Sequence, residues 1–171
     1  MLKPISMLLV FCLCSYLGVQ RAARLQQRKT LLAELQTDIK RMMIRMEYER
    51  KPLAAIVFAR SQGDLRPLWQ TFARELQHGA DTRSAFAEAL AAADAEIAGF
   101  CTIGEEERVL LTDFAAALGG TELDGQKRNA AMLLAGLEPL WTQAGGECET
   151  KGHVYRTVGM LCGAAIVLLM L

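Results

Sequence analysis

Reactive and ligating side chains are scarce in this sequence. Two of its 171 residues are histidine, His78 and His153, and neither has a second histidine three or four residues away. A helical His pair for a metal is therefore excluded, and the two read as a helix-end and a membrane-interface residue. Gly119-Gly120 is not followed by the Gly-Lys-Ser/Thr of a phosphate loop. The five cysteines hold no CxxC pair. Three (Cys12, Cys14, Cys162) sit in apolar ends, so a disulfide framework is disfavoured and a reducing compartment favoured, although Cys101 and Cys148 are free to meet. Aromatics make up only 6% of the chain and no segment sustains a two-residue alternation, which argues against a β-fold. Lys and Arg balance Asp and Glu at 19 each, so no global charge recruits nucleic acid. No catalytic residue, metal ligand or cofactor site emerges.

What is present begins with an uncharged stretch of sixteen residues, Pro4 to Val19. As a helix it would cover about 24 Å, somewhat short of a hydrocarbon core unless Leu2, Lys3 and Arg21 extend it. Its end, Leu17-Gly18-Val19-Gln20-Arg21, lacks the small-x-small site of a cleaved signal. A second apolar run, Thr157 to Leu171, closes the chain. Two membrane helices fit this pattern, with a buried core helix as the alternative for the last run. Arg21, Arg24, Arg28 and Lys29 follow the first run, and Lys151 and Arg156 precede the second. The positive-inside rule then puts the intervening domain in the cytoplasm and both termini across the cell membrane. Gly159 and Gly163 form a GxxxG that would let another membrane helix approach closely.

The expected organisation is a transmembrane helix over 1–20, a cytoplasmic domain over 21–150 and a transmembrane helix over 151–171. Leu25, Leu32, Leu35, Ile39, Met42 and Met46 form a heptad seam on an unbroken helix running to Lys51. A short helix is expected from Pro52 to Ser61, and Pro67 opens a third that ends at His78-Gly79. Asp81 or Thr82 caps a fourth. Thr102-Ile103-Gly104-Glu105 reads as a capping box for a fifth, which stops at Gly119-Gly120. The last begins near Asp124, is kinked at Pro139 and broken at Gly145-Gly146. The fold class is all-α, an antiparallel helical bundle between two terminal spans.

Charge is unevenly spread. Ser84 to Thr150 holds twelve acids against three bases, whereas Thr30 to Arg83 holds seven against nine. The acidic half is either a solvated face or a surface for a basic partner, with Glu105, Glu106, Glu107 and Glu122 as candidate contacts.

Met46-Glu47-Tyr48-Glu49-Arg50-Lys51-Pro52-Leu53 and Leu118-Gly119-Gly120-Thr121-Glu122-Leu123-Asp124-Gly125-Gln126-Lys127, between two terminal spans, resemble the stage III sporulation protein AB family. Lys51 and Glu122 stand where the family often has Thr and Asp. The resemblance covers essentially the whole chain. It implies a domain similar to the F-type helical bundle of type II secretion and type IV pilus platform proteins. It also implies a non-catalytic membrane component of the mother cell–forespore channel, in the mother cell, among other stage III proteins and near a secretion-type ATPase. Two other functions compete with it. One is a membrane-tethered coiled-coil scaffold that forms a homo-oligomer through the heptad seam; the other is an extracytoplasmic accessory factor of opposite topology.

Overall fold

A computed structural model describes residues 2–48, 53–58, 63–118 and 123–170, without the side chains of 2–8, 123 and 170. These residues form six helices and no strand: α1 (Leu2–Tyr48), α2 (Leu53–Phe58), α3 (Arg66–Gln77), α4 (Thr82–Glu96), α5 (Glu105–Leu118) and α6 (Leu123–Met170). A 3-10 turn, Phe100–Thr102, precedes α5. The expected limits at Pro52, Ser61 and Gly119-Gly120 lie outside the described residues, as does Glu122.

Helix ends follow local chemistry. Pro67 sits in the first turn of α3, where its missing N–H costs nothing. Gly79 takes a left-handed φ of 84° just past the C-terminus of that helix. The Asp81 carboxylate accepts the Ser84 N–H at 2.7 Å and caps α4. Thr102, expected to cap α5, instead gives its hydroxyl to the Gly99 carbonyl at 2.6 Å inside the 3-10 turn. The capping residue is Gly104, whose carbonyl accepts the Arg108 N–H at 3.1 Å. Glu107 folds back over it, with Oε2 2.6 Å from where a Gly104 Cβ would stand. Glu107 thus stands at the return position of a capping box, two residues on from the expected Glu105.

The chain divides into two compact units, one of Thr30–Trp141 and one of Met1–Lys29 with Thr142–Leu171. In the larger unit the seam residues Leu32, Leu35, Ile39 and Met42 are 0–3% exposed. They share a core with Ile56, Val57, Leu68, Trp69, Phe72, Phe86, Leu111, Phe114, Leu133 and Leu137. Each such side chain contributes about 1.5–3 kcal/mol on burial. Phe72 and Phe86 meet edge to face, their centroids 5.2 Å apart. Ala85, Ala89 and Ala93 are fully buried, so α4 lies close to its neighbours. A polar contact within this core runs from Trp69 Nε1 to Asp38 Oδ2 at 2.7 Å.

Long-range polar contacts also hold the turn before α3. Glu34 Oε1 accepts the N–H of Asp64 at 2.9 Å and of Leu65 at 3.5 Å. It occupies the space a Cβ on Gly63 would need, and Gly63 has φ 84°. Burial raises the Glu34 carboxyl above its ordinary range despite these donors.

In the smaller unit α1 and α6 run antiparallel. Phe11 and Cys14 face Gly163, Gly18 faces Gly159, and Lys29 faces Gly145. Cys148 Sγ donates to Gln26 Oε1 at 2.9 Å, and Arg28 Nη1 lies 3.5 Å from Glu147 Oε2. Gly145-Gly146 do not break α6, contrary to expectation. A helical glycine costs roughly 1 kcal/mol, and α6 runs through both with Lys29 of α1 beside Gly145 and α1 again beside Gly159 and Gly163. Pro139, where a kink was expected, lies inside α6. The five cysteines are free thiols.

Candidate interaction surfaces

Two surfaces stand out, one in each unit. In the larger unit a groove of about 510 Å³ opens between α5 and α6, lined by Glu105, Glu106, Val109 and Leu110 on one side and Gly136, Pro139 and Leu140 on the other. A second hollow of about 200 Å³ continues past Leu110 and Phe114 to Met132 and Leu133, with Asp113 on its wall. The groove exists because α6 presents two residues of little bulk, Gly136 and Pro139, to α5. Leu110 partly covers the first, 3.1 Å from where a Cβ would stand.

The three adjacent glutamates of α5 separate sharply. Glu105 and Glu106 are exposed and line the groove. Glu107 is only 1% exposed, because its position three residues into the helix turns it back to the cap. It therefore leaves the candidate surface. The next residue, Arg108, fixes the start of α5 against α4. Its Nη1 and Nη2 reach Asp94 Oδ2 and Oδ1 at 2.8 and 2.6 Å, and its guanidinium lies over Phe100, 5.4 Å from the ring centroid. This bidentate contact holds the Asp94 carboxyl below its ordinary range. Val109, Gly136 and Met132 escaped the sequence reading. A glycine and a proline three residues apart in the last helix were the available signal, since that spacing places both on one face.

In the smaller unit, a Cβ at Gly18 would lie 2.6 Å from the Tyr155 carbonyl oxygen and 3.1 Å from Gly159 Cα. A Cβ at Gly163 would lie 3.0 Å from Phe11 and 3.4 Å from Cys14 Cβ. Gly159 and Gly163 thus stand against α1 of the same chain. The outward faces of both helices are apolar: Leu9, Leu13, Leu17, Leu161, Leu168 and Leu169 are all more than half exposed. Among the described residues, α6 is long and apolar enough to cross a membrane within Asp124–Leu169, with a mean hydropathy of 1.4 over its most apolar eighteen residues. Only 11% of that stretch is buried, which is not the burial of a soluble core helix.

Among the described residues no three His, Cys, Asp or Glu side chains converge as a metal site. A family profile described as Stage III sporulation protein AB matches residues 3–171. The chain belongs to the stage III sporulation protein AB family. A solved structure of Stage III sporulation protein AB superposes with a TM-score of 0.62 at 17% identity, over 71% of this chain and 96% of that one. That likeness supports the helical fold of this family member. No curated protein matches it with significance. Membership in the family makes the chain a component of the stage III sporulation complex.

Proposed function

We propose that this family member is a non-catalytic membrane platform in the mother cell–forespore channel. Two spans anchor it, and the Thr30–Trp141 unit stands in the mother-cell cytoplasm as an assembly surface for other stage III proteins, a secretion-type ATPase among them. The observation that carries the reading is the antiparallel pairing of the terminal helices with apolar side chains outward on both. A membrane accepts that pattern, and water does not. Arg21, Arg24, Arg28 and Lys29 at one helix and Lys151 and Arg156 at the other give the orientation. The burial of Leu32, Leu35, Ile39 and Met42 removes the seam that a coiled-coil scaffold would need.

Cys101 tests the orientation, because it is an exposed free thiol of the larger unit. With the other four cysteines changed to Ser, an impermeant maleimide on intact sporulating cells should leave Cys101 unmodified until lysis. Modification before lysis would reverse the topology and favour the extracytoplasmic alternative.

A further inference from the structure

Val109 and Met132 are apolar side chains left 50% and 66% exposed on the two walls of the α5–α6 groove. The charge of the groove sits on its α5 wall. The described ionisable residues that line the groove and its continuation are all acidic, Glu105 and Glu106 at one end and Asp113 further along. From Glu106 to Ala117 the α5 wall runs twelve residues, about 17 Å, or three turns of a facing helix.

We infer that this groove docks a basic amphipathic helix of a partner protein. The apolar stripe of that helix lies over Val109, Leu110, Met132 and Leu140, and its Lys and Arg flank faces Glu105, Glu106 and Asp113. Laying an apolar helix face into such a groove is a recurrent mode of recognition, and the rim charges select the sign of the flank. The charge of the unit argues for a foreign helix over a second copy: Thr30 to Trp141 carries seventeen acids against twelve bases, an excess that disfavours the same unit of a second copy at an acidic groove. The inference rests on the platform reading and names the chemistry of one of its partners.

The test uses the full chain in nanodiscs of zwitterionic lipid. The probe is a labelled Lys/Leu peptide of about twelve residues, with Leu at i, i+3, i+4 and i+7. Its Glu/Leu counterpart serves as control, and binding to empty nanodiscs is subtracted. The Lys/Leu peptide should bind and the Glu/Leu peptide should not. Paired Glu105→Lys and Glu106→Lys should weaken binding on the order of tenfold and flatten its salt dependence. Val109→Gln with Met132→Gln, at exposed positions that leave the core alone, should weaken it comparably. Glu88→Lys, exposed on α4 away from the groove, should bind as the parent does. Equal binding of both peptides, or parental binding by both groove variants, would overturn the inference. So would a photocrosslinker at Met132 that joins two copies of the chain, since the face would then be a self-interface. Cys101 labelling is independent of these readouts, so a failed groove and a failed topology are told apart.

Discussion

Gly18 and Gly159 stand face to face, so close that a Cβ on either would lie 3.1 or 3.0 Å from the other's Cα. Backbone meets backbone here, and only glycine permits it. The terminal helices are thereby paired within one chain, and the GxxxG of α6 serves an intramolecular neighbour.

That pairing predicts a crosslink. A Cβ at position 163 would lie 3.4 Å from Cys14 Cβ, near the separation found in disulfides. With the remaining cysteines changed to Ser, Gly163→Cys should oxidise with Cys14 within a monomer in membranes. Gly18→Ala should slow the reaction, because its methyl would press on the Tyr155 carbonyl and part the helices. Disulfide-linked dimers on a non-reducing gel would assign the close approach to a second chain.

The buried bond between Asp38 and Trp69 predicts coupled stabilities. Asp38→Ala strands an indole N–H in a side chain 2% exposed and should cost about 1–3 kcal/mol. Trp69→Phe should cost a comparable amount. The double variant should lose less than the sum of the two, with an interaction of roughly 0.5–3 kcal/mol in thermal melts followed by circular dichroism. Strict additivity would mean the bond contributes nothing.

The glutamate run of α5 should split by position. Glu105→Gln and Glu106→Gln each remove a helix-start charge worth about 0.3–1 kcal/mol. Glu107→Ala should cost about 1–2 kcal/mol, since it removes a buried carboxylate packed against the Gly104 cap. Equal melting temperatures for all three would place Glu107 at the surface.

Asp94 sets an expectation for pH. The hydrogen bonds from Arg108 depress its folded-state carboxyl below the ordinary 3.8. A depressed acid stabilises the fold above its unfolded value and loses that contribution as pH falls through the folded value. Asp94 is 42% exposed, so solvent screening holds the pair to about 0.5–1 kcal/mol. Asp94→Asn should therefore melt below the parent at neutral pH, and the gap should close below about pH 3.8. A gap constant with pH would show that the pair carries no net charge effect.

Much of this architecture is written locally. Pro67, Gly79 and Asp81 mark helix ends because caps and left-handed residues act within four positions. The spacing of Leu32, Leu35, Ile39 and Met42 marks the buried face of α1 because helical geometry alone puts them in one line. The acidity of the second half was equally legible. What lay beyond the sequence depends on which faces meet. Gly145-Gly146 reads as a break until α1 lies beside it, and tertiary pairing then overrides a local penalty of a kcal/mol or so. Glu105, Glu106 and Glu107 are one chemical run in the sequence, yet the helix turns successive side chains about 100° apart and only the third points inward. The groove arises in the same way: Gly136 and Pro139 leave space only because Val109 and Leu110 are brought opposite them, across more than twenty-five residues of chain whose separation no short-range rule can bridge.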